Sequence, residues 1–252
     1  MNLKGGCLRV MEDLRPYLRQ IQLAGFGEEA QHKLLASTVA VIGAGGLGSP
    51  LLLYLTAAGI GNLHIFDPDH VDITNLNRQI LYTPTQIGTS KADSIAQSLK
   101  LLNPKLHIHA YPHSAQECGF DFSQVDVIAD ATDNFTSRYY LNTVALKTSK
   151  PWVHASIYGA EGRVTSFIPG KTPCYHCLNP MSHREKIAAD GHPVLGVAAG
   201  IGGILQAAEI INFLAFGQFA LAGKLLTYDL YDMTFDTLDI PYLDRCPACG
   251  GP

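Results

Sequence analysis

Thr38-Val39-Ala40-Val41-Ile42-Gly43-Ala44-Gly45-Gly46-Leu47-Gly48 is the stretch on which the reading of this chain turns. Its first five residues are apolar, rich in β-branched side chains and bounded by glycine, which reads as a buried parallel strand. The six residues from Gly43 to Gly48 fit the spacing G-x-G-x-x-G. Glycine suits such a turn because the bend needs unusual dihedrals and because backbone N–H groups must approach a phosphate closely. Segment 47–58 is apolar and of helical length, and a helix N-terminus adds a dipole favourable to anions. A second strand at 63–66 ends at Asp67, 19 residues beyond Gly48, where a ribose-binding acid belongs. A glycine turn that only packs helix on strand is the plainer alternative, and the strand, turn, helix, strand and acid in succession weigh against it. The turn points to a nucleotide but fits NAD and ATP alike.

Outward from this unit the alternation continues. Residues 28–36 read as a short polar helix and 91–102 as an amphipathic helix stopped by Asn103-Pro104. Segments 106–110, 125–129 and 152–157 read as strands, and 134–148 as a helix. Strands alternating with helices predict a Rossmann-like, doubly wound α/β sheet, parallel in its N-terminal part. Beyond about residue 160 the pattern changes. Segments 163–168, 225–231 and 233–240 look like strands with only one long apolar helix, 197–216, among them. That predicts an antiparallel or mixed C-terminal extension of the same sheet. No linker rich in Pro, Gly or Ser interrupts the chain, so 1–252 is expected to be a single domain.

Charged residues gather downstream of the glycine turn. Asp67 and Asp69 are followed by Asn75, Arg78 and then Lys91. Arg suits a forked contact with phosphate oxygens and Lys a point contact. Asp130 or Asp133, at the end of the strand VDVIA, is placed to hold Mg²⁺ shared with substrate phosphates. Helix capping is the ordinary alternative for either Asp. A dehydrogenase has no use for this Arg, Lys and Asp set around a polyphosphate, so ATP is favoured over NAD.

The composition closes off other classes. The 252 residues include 18 Lys plus Arg and 22 Asp plus Glu, for a net charge of −4, with 47% hydrophobic residues. This excludes a disordered chain and leaves no basic footprint for nucleic acid. The 24 Gly and 14 Pro exclude a long coiled coil. The first 18 residues hold no apolar core of a secretory signal, and 194–205, the longest nearly apolar stretch, is short of a membrane span. A soluble, cytoplasmic setting is the expectation. Of six cysteines, Cys174, Cys177, Cys246 and Cys249 form two CxxC knuckles, a set suited to tetrahedral structural Zn²⁺; Cys7 and Cys118 lie in no motif.

Taken together, these residues resemble the MoeB/ThiF/HesA family of ubiquitin-activating-like adenylyltransferases. The resemblance runs over about 14–250 and keeps the family's order. It comprises Tyr17-Leu18-Arg19-Gln20-Ile21, the glycine turn, Asp67 and Asp69, Asn75-Leu76-Asn77-Arg78-Gln79-Ile80-Leu81, and Ile87-Gly88 with Lys91. Ala131-Thr132-Asp133-Asn134, Glu161-Gly162-Arg163-Val164-Thr165 and the two knuckles complete it. The resemblance implies ATP-dependent adenylation of the C-terminal glycine of a small ubiquitin-like sulfur carrier ending in Gly-Gly. It implies a nucleotide-binding part over about 14–160 and a carrier-binding and zinc part over about 161–250. It places Gly43, Gly45, Gly46 and Gly48 under the nucleotide and Asp67 on the ribose. Asn75, Arg78 and Lys91 fall on the phosphates, and Asp133 on Mg²⁺ and the α-phosphate. Arg19 would reach the ATP of a partner subunit, which implies a homodimer.

One departure stands out. Many relatives carry a cysteine in the crossover loop, here 179–195, and the position near Ala189 holds none. The expectation is an enzyme that stops at the adenylate and leaves sulfur delivery to a separate sulfurtransferase. The rival readings are adenylation of another acceptor, a peptide or a tRNA base, and a non-catalytic carrier-binding scaffold.

Overall fold

Strand β1 (Thr38–Ile42) lies at the middle of the parallel part of the sheet, and its alternation decides what each face buries. Val39 and Val41 point into one apolar layer, Ala40 and Ile42 into the other. A strand buried on both faces needs apolar residues throughout, which is why this run shows no polar alternation. The computed structural model describes residues 14–180 and 193–251. Cys7 and the loop positions 181–192, Ala189 among them, lie outside the described residues.

Four further parallel strands flank β1: β2 (Asn62–Phe66), β3 (His107–Tyr111), β4 (Val127–Asp130) and β5 (Trp152–Tyr158). The chain then reverses. β6 (Glu161–Phe167), β7 (Lys224–Asp229) and β8 (Thr234–Asp239) add antiparallel neighbours, giving one eight-stranded sheet in the order β3-β2-β1-β4-β5-β6-β7-β8. The order reverses between β1 and β4, and such a switch point opens a crevice at the carboxyl ends of the strands. All six residues of the edge strand β8 are exposed.

The helices are α1 (Leu18–Ile21), α2 (Gly27–Ala36), α3 (Gly48–Ala58), α4 (Lys91–Leu102), α5 (Phe135–Thr148), α6 (Tyr175–Leu178) and α7 (Gly196–Phe216). Leu34 of α2, Leu51 and Leu55 of α3, Ile95 of α4 and Ile210 of α7 pack on the Val39/Val41 face. Leu141 and Ala145 of α5, with Trp152 and Tyr175, cover the opposite face. By length and composition alone, α7 is apolar enough to cross a membrane. Here it packs against α3, β5 and β6, and its buried polar groups are tied to the fold. Gln206 Nε2 donates to the Asp130 carbonyl at 2.7 Å, and Glu209 accepts from Ser166 Oγ at 2.7 Å and from the N–H of Leu221 at 2.9 Å. A Cβ at Gly203 would lie 2.3 Å from the Leu47 carbonyl, so glycine lets α7 rest on the start of α3.

The expected α/β sheet with an antiparallel extension is the observed architecture. Its element bounds shift by a residue or two. The strand expected at 125–129 is β4, two residues later, because Val125 ends a 3-10 turn (Phe122–Gln124) and the ladder with β1 starts at Val127. The helix expected at 134–148 begins at Phe135, with Asn134 as its cap.

Candidate functional site

At the switch point a cavity of about 530 Å³ opens over the glycine turn, within the usual size range of small-molecule sites. Gly43, Gly45 and Gly46 line it beside Asp67, Asp69, Arg78, Lys91 and Asp133. Gly43 has φ +99°, and a Cβ there would lie 2.5 Å from the Ala131 carbonyl, so the turn needs glycine for conformation and space alike. Gly48 does not line the cavity. It closes the turn, since a Cβ there would lie 2.1 Å from the Gly43 carbonyl.

Asp67 is buried at the end of β2 and braces the turn. One carboxylate oxygen accepts from the Ala44 N–H at 2.7 Å, the other from the Asp69 N–H at 2.9 Å. Burial raises its pKa, against the opposing pull of Lys91 and these two donors. Tyr82 Oη donates to the Ala44 carbonyl at 2.7 Å and braces the same turn. Lys91 opens α4, and its Nζ lies 2.8 Å from Asp69 Oδ2. The lysine side chain is 8% exposed and the aspartate 65%, so the cation reaches the cavity from a largely covered position.

Arg78 projects from the loop after β2, its Nη1 donating to the Thr74 carbonyl at 2.9 Å and to Asn77 Oδ1 at 3.1 Å. Asn75 ends the 3-10 turn before it and stands outside the cavity wall. Arg19, exposed on α1, is likewise not part of the wall. Asp133 lies exposed at the exit of β4. It does not cap α5: the Asn134 side chain accepts from the Ser137 N–H at 2.8 Å instead. Of the two acids considered for Mg²⁺, Asp130 is fully buried and committed to Thr132 and His154, whereas Asp133 is exposed and lines the cavity.

Among the other cavity residues, Gln79 falls in the 75–81 motif without a role assigned there, and Arg138 is not singled out by the sequence. Gln79 is buried in the cavity wall, and its Oε1 has no hydrogen-bond partner among the described residues. Arg138 is buried in the first turn of α5, its Nη2 donating to the Thr132 carbonyl at 2.8 Å. A cation in a first helical turn opposes the helix dipole, and that mismatch was the available signal.

On the far side of α5 the two knuckles meet. Sulfur separations are 3.9 Å for Cys174–Cys177, 3.7 Å for Cys174–Cys246 and 3.6 Å for Cys177–Cys249. A tetrahedron with Zn–S bonds of about 2.3 Å has edges of about 3.8 Å, so the donor set fits zinc in size and chemistry. Four sulfur donors that leave no open position suit a structural rather than a catalytic zinc. Cys118 stands apart, half-buried near Tyr111 and Tyr140.

The ThiF family pattern matches residues 17–248. The chain is 40% identical to the SAMP-activating enzyme E1 of Haloferax volcanii, over 93% of this chain and 88% of that one. It is 38% identical to the sulfur carrier protein adenylyltransferase of Thermus thermophilus, over 95% of this chain and 92% of that one. Among solved structures, E. coli MccB with MccA-N7isoASN superposes with a TM-score of 0.83 at 20% identity, covering 97% of this chain and 80% of that one, a likeness of fold.

Proposed function

The chain belongs to the ThiF family, and from that premise we propose that it is an adenylyltransferase for a small ubiquitin-like sulfur carrier. The carrier's C-terminal glycine carboxylate attacks the α-phosphate of ATP, forming the acyl-adenylate and releasing pyrophosphate. The observation that carries the reading is the convergence of Arg78, Lys91 and Asp133 around the glycine turn in one cavity. Such a displacement needs little covalent help, so alignment and charge neutralisation dominate.

In this reading the turn and the α3 N-terminus lie under the phosphates, and Asp67 accepts from the ribose hydroxyls with lone pairs its N–H donors leave free. Lys91 exchanges Asp69 for a phosphate oxygen. This trades a half-solvated ion pair for a charge-assisted contact in a closed site. Arg78 and Asn75 close over the polyphosphate from their loop. Asp133 supplies one exposed carboxylate, a fit for Mg²⁺, which characteristically takes one or two carboxylates plus substrate phosphates. When bound, Mg²⁺ would neutralise charge that builds on the phosphates. Arg19 is read as acting in trans across a homodimer, and the chain as one functional unit with its zinc structural. The absence of a cysteine near Ala189 favours release of the adenylate to a separate sulfurtransferase over a thioester on this chain.

The test is ATP–pyrophosphate exchange with candidate carriers ending in Gly-Gly. Exchange is expected, with Arg78→Ala and Lys91→Ala each lowering it by about 100-fold or more while the fold is retained. No exchange with any carrier, together with NAD binding, would overturn the assignment.

A further inference from the structure

Behind Asp133 lies a buried polar cluster to which the adenylation scheme assigns no task. Asp130, the last residue of β4, is fully buried, as is His154 on the neighbouring strand β5, which stands opposite it in the register. Asp130 Oδ2 lies 2.6 Å from His154 Nδ1. Asp130 Oδ1 accepts from the Thr132 N–H at 3.0 Å and from Thr132 Oγ1 at 2.7 Å. Arg138 stands on the other side, its Nη2 on the Thr132 carbonyl and its Nε 4.0 Å from Asp130 Oδ2. The His154 ring is covered by Tyr175, whose centroid lies 5.0 Å away edge-on.

The charge state follows from the surroundings. Burial works to raise the Asp130 carboxyl, but the hydrogen bond and charge of His154, with Arg138 behind them, hold it below the ordinary range. Burial lowers His154 in turn. An ionised carboxylate can only accept, so Nδ1 carries the proton and donates. The cluster then holds one negative carboxylate, one neutral imidazole and one guanidinium. Burying charges is costly unless they are paired and hydrogen-bonded, and the Arg138 Nε is left without a hydrogen bond, so a buried cluster of this kind calls for a reason.

The backbone supplies it. The Asp130 carbonyl is held by Gln206, the Ala131 N–H by the Ile42 carbonyl at 2.8 Å, the Thr132 N–H by Asp130 and the Thr132 carbonyl by Arg138. Four backbone groups in three successive residues are fixed from four directions, and the next residue is Asp133. We propose that Asp130, His154 and Arg138 form a positioning set that clamps the Thr132 peptide, so that Asp133 meets the nucleotide already aimed. None of the three needs to touch a reacting atom for this. A group aimed before the reaction begins needs no reorganisation at the transition state, and a misplacement of about 1 Å costs on the order of a hundredfold in rate. The proposal rests on the reading of Asp133 given above, and its test separates the two.

The experiment compares wild type with His154→Leu, which removes the donor to Asp130, and His154→Asn, which returns an N–H close to the Nδ1 position. Backbone amide exchange is followed by mass spectrometry over 128–136, with α4 as the internal control. His154→Leu is expected to speed exchange at 132–134 by about tenfold or more while α4 is unchanged. In pyrophosphate exchange, kcat is expected to fall about tenfold or more with KM for ATP held within about twofold, and His154→Asn to restore both readouts. Should His154→Leu fail to fold, Thr132→Val removes the Oγ1 bond alone and is expected to shift both readouts in the same direction, by less. Faster exchange across the whole molecule, a raised KM with unchanged kcat, or an Asn variant no better than Leu would overturn the clamp. A wild type without pyrophosphate exchange would sink the adenylation reading alone, and the amide exchange would still decide the clamp.

Discussion

Replacing Cys246 and Cys249 together by serine should remove the metal and open a large ring in the chain. The two knuckles stand 68 residues apart, between Cys177 and Cys246, and their sulfurs meet within 3.9 Å in the contacts between and within them. While metal holds them, the unfolded chain is a closed loop of about 70 residues, and the chain-entropy relation for such a loop gives about 4 kcal/mol. For a domain of this size each kcal/mol moves Tm by roughly 2–4 °C, so the double variant should melt roughly 8–16 °C below the native protein. Calorimetry on both proteins, with zinc content from elemental analysis, measures it. Chelator should bring the native protein down to the variant and leave the variant unmoved. A native protein with well under one equivalent of metal, or a variant whose Tm stays within about 2 °C of the native value, would refute the reasoning.

Three further outcomes are expected. Gly43→Ala must hold alanine at φ +99° with its Cβ 2.5 Å from the Ala131 carbonyl. It should lose at least about 2 kcal/mol in urea melts and lose ATP binding by titration calorimetry. Arg19→Ala and Asp133→Ala should each be inactive alone, and their mixture should regain about a quarter of wild-type exchange if Arg19 acts across a dimer. Burial, assisted by the neighbouring His109, lowers His64 to about 4. The unfolded chain therefore takes up a proton that the folded one refuses as pH falls from about 6.5 toward 4, and stability declines through that window. His64→Gln should flatten the decline in pH-dependent thermal melts.

The parts of the molecule written in local spacing were open to reading. The β1 run, the glycine turn, Asp67 and the CxxC pairs each declare themselves within a few residues, because a tight turn, a strand end and a metal knuckle are local demands. The clamp was not legible. Asp130 meets His154 across 24 residues, and nothing in a run such as Trp152-Val153-His154-Ala155 separates a packed histidine from a paired one. Capping is the ordinary alternative for Asp133, and only the hydrogen bond from the Ser137 N–H to the Asn134 side chain gives that role to the asparagine. The long helix α7 hid its polar residues in a run that counts as apolar, although Gln206 and Glu209 are what fasten it to the β4 exit and the β6 edge.

Among the described residues the outer side of β8 pairs with no strand, which bears on how copies of this molecule meet. A bare strand edge is a template on which any matching strand can add, and identical molecules at high concentration are the nearest supply. The strand Thr234–Asp239 displays Asp236 and Asp239 and no cation, with Asp229 and Asp232 at its mouth. A twin strand laid beside it in parallel register would bring Asp236 against Asp236 and Asp239 against Asp239. Side chains such as Phe235 and Leu238, half exposed on that strand, would otherwise favour fibre-like growth. Charge at the edge therefore acts as insulation against in-register self-pairing along β8 while leaving its backbone groups open.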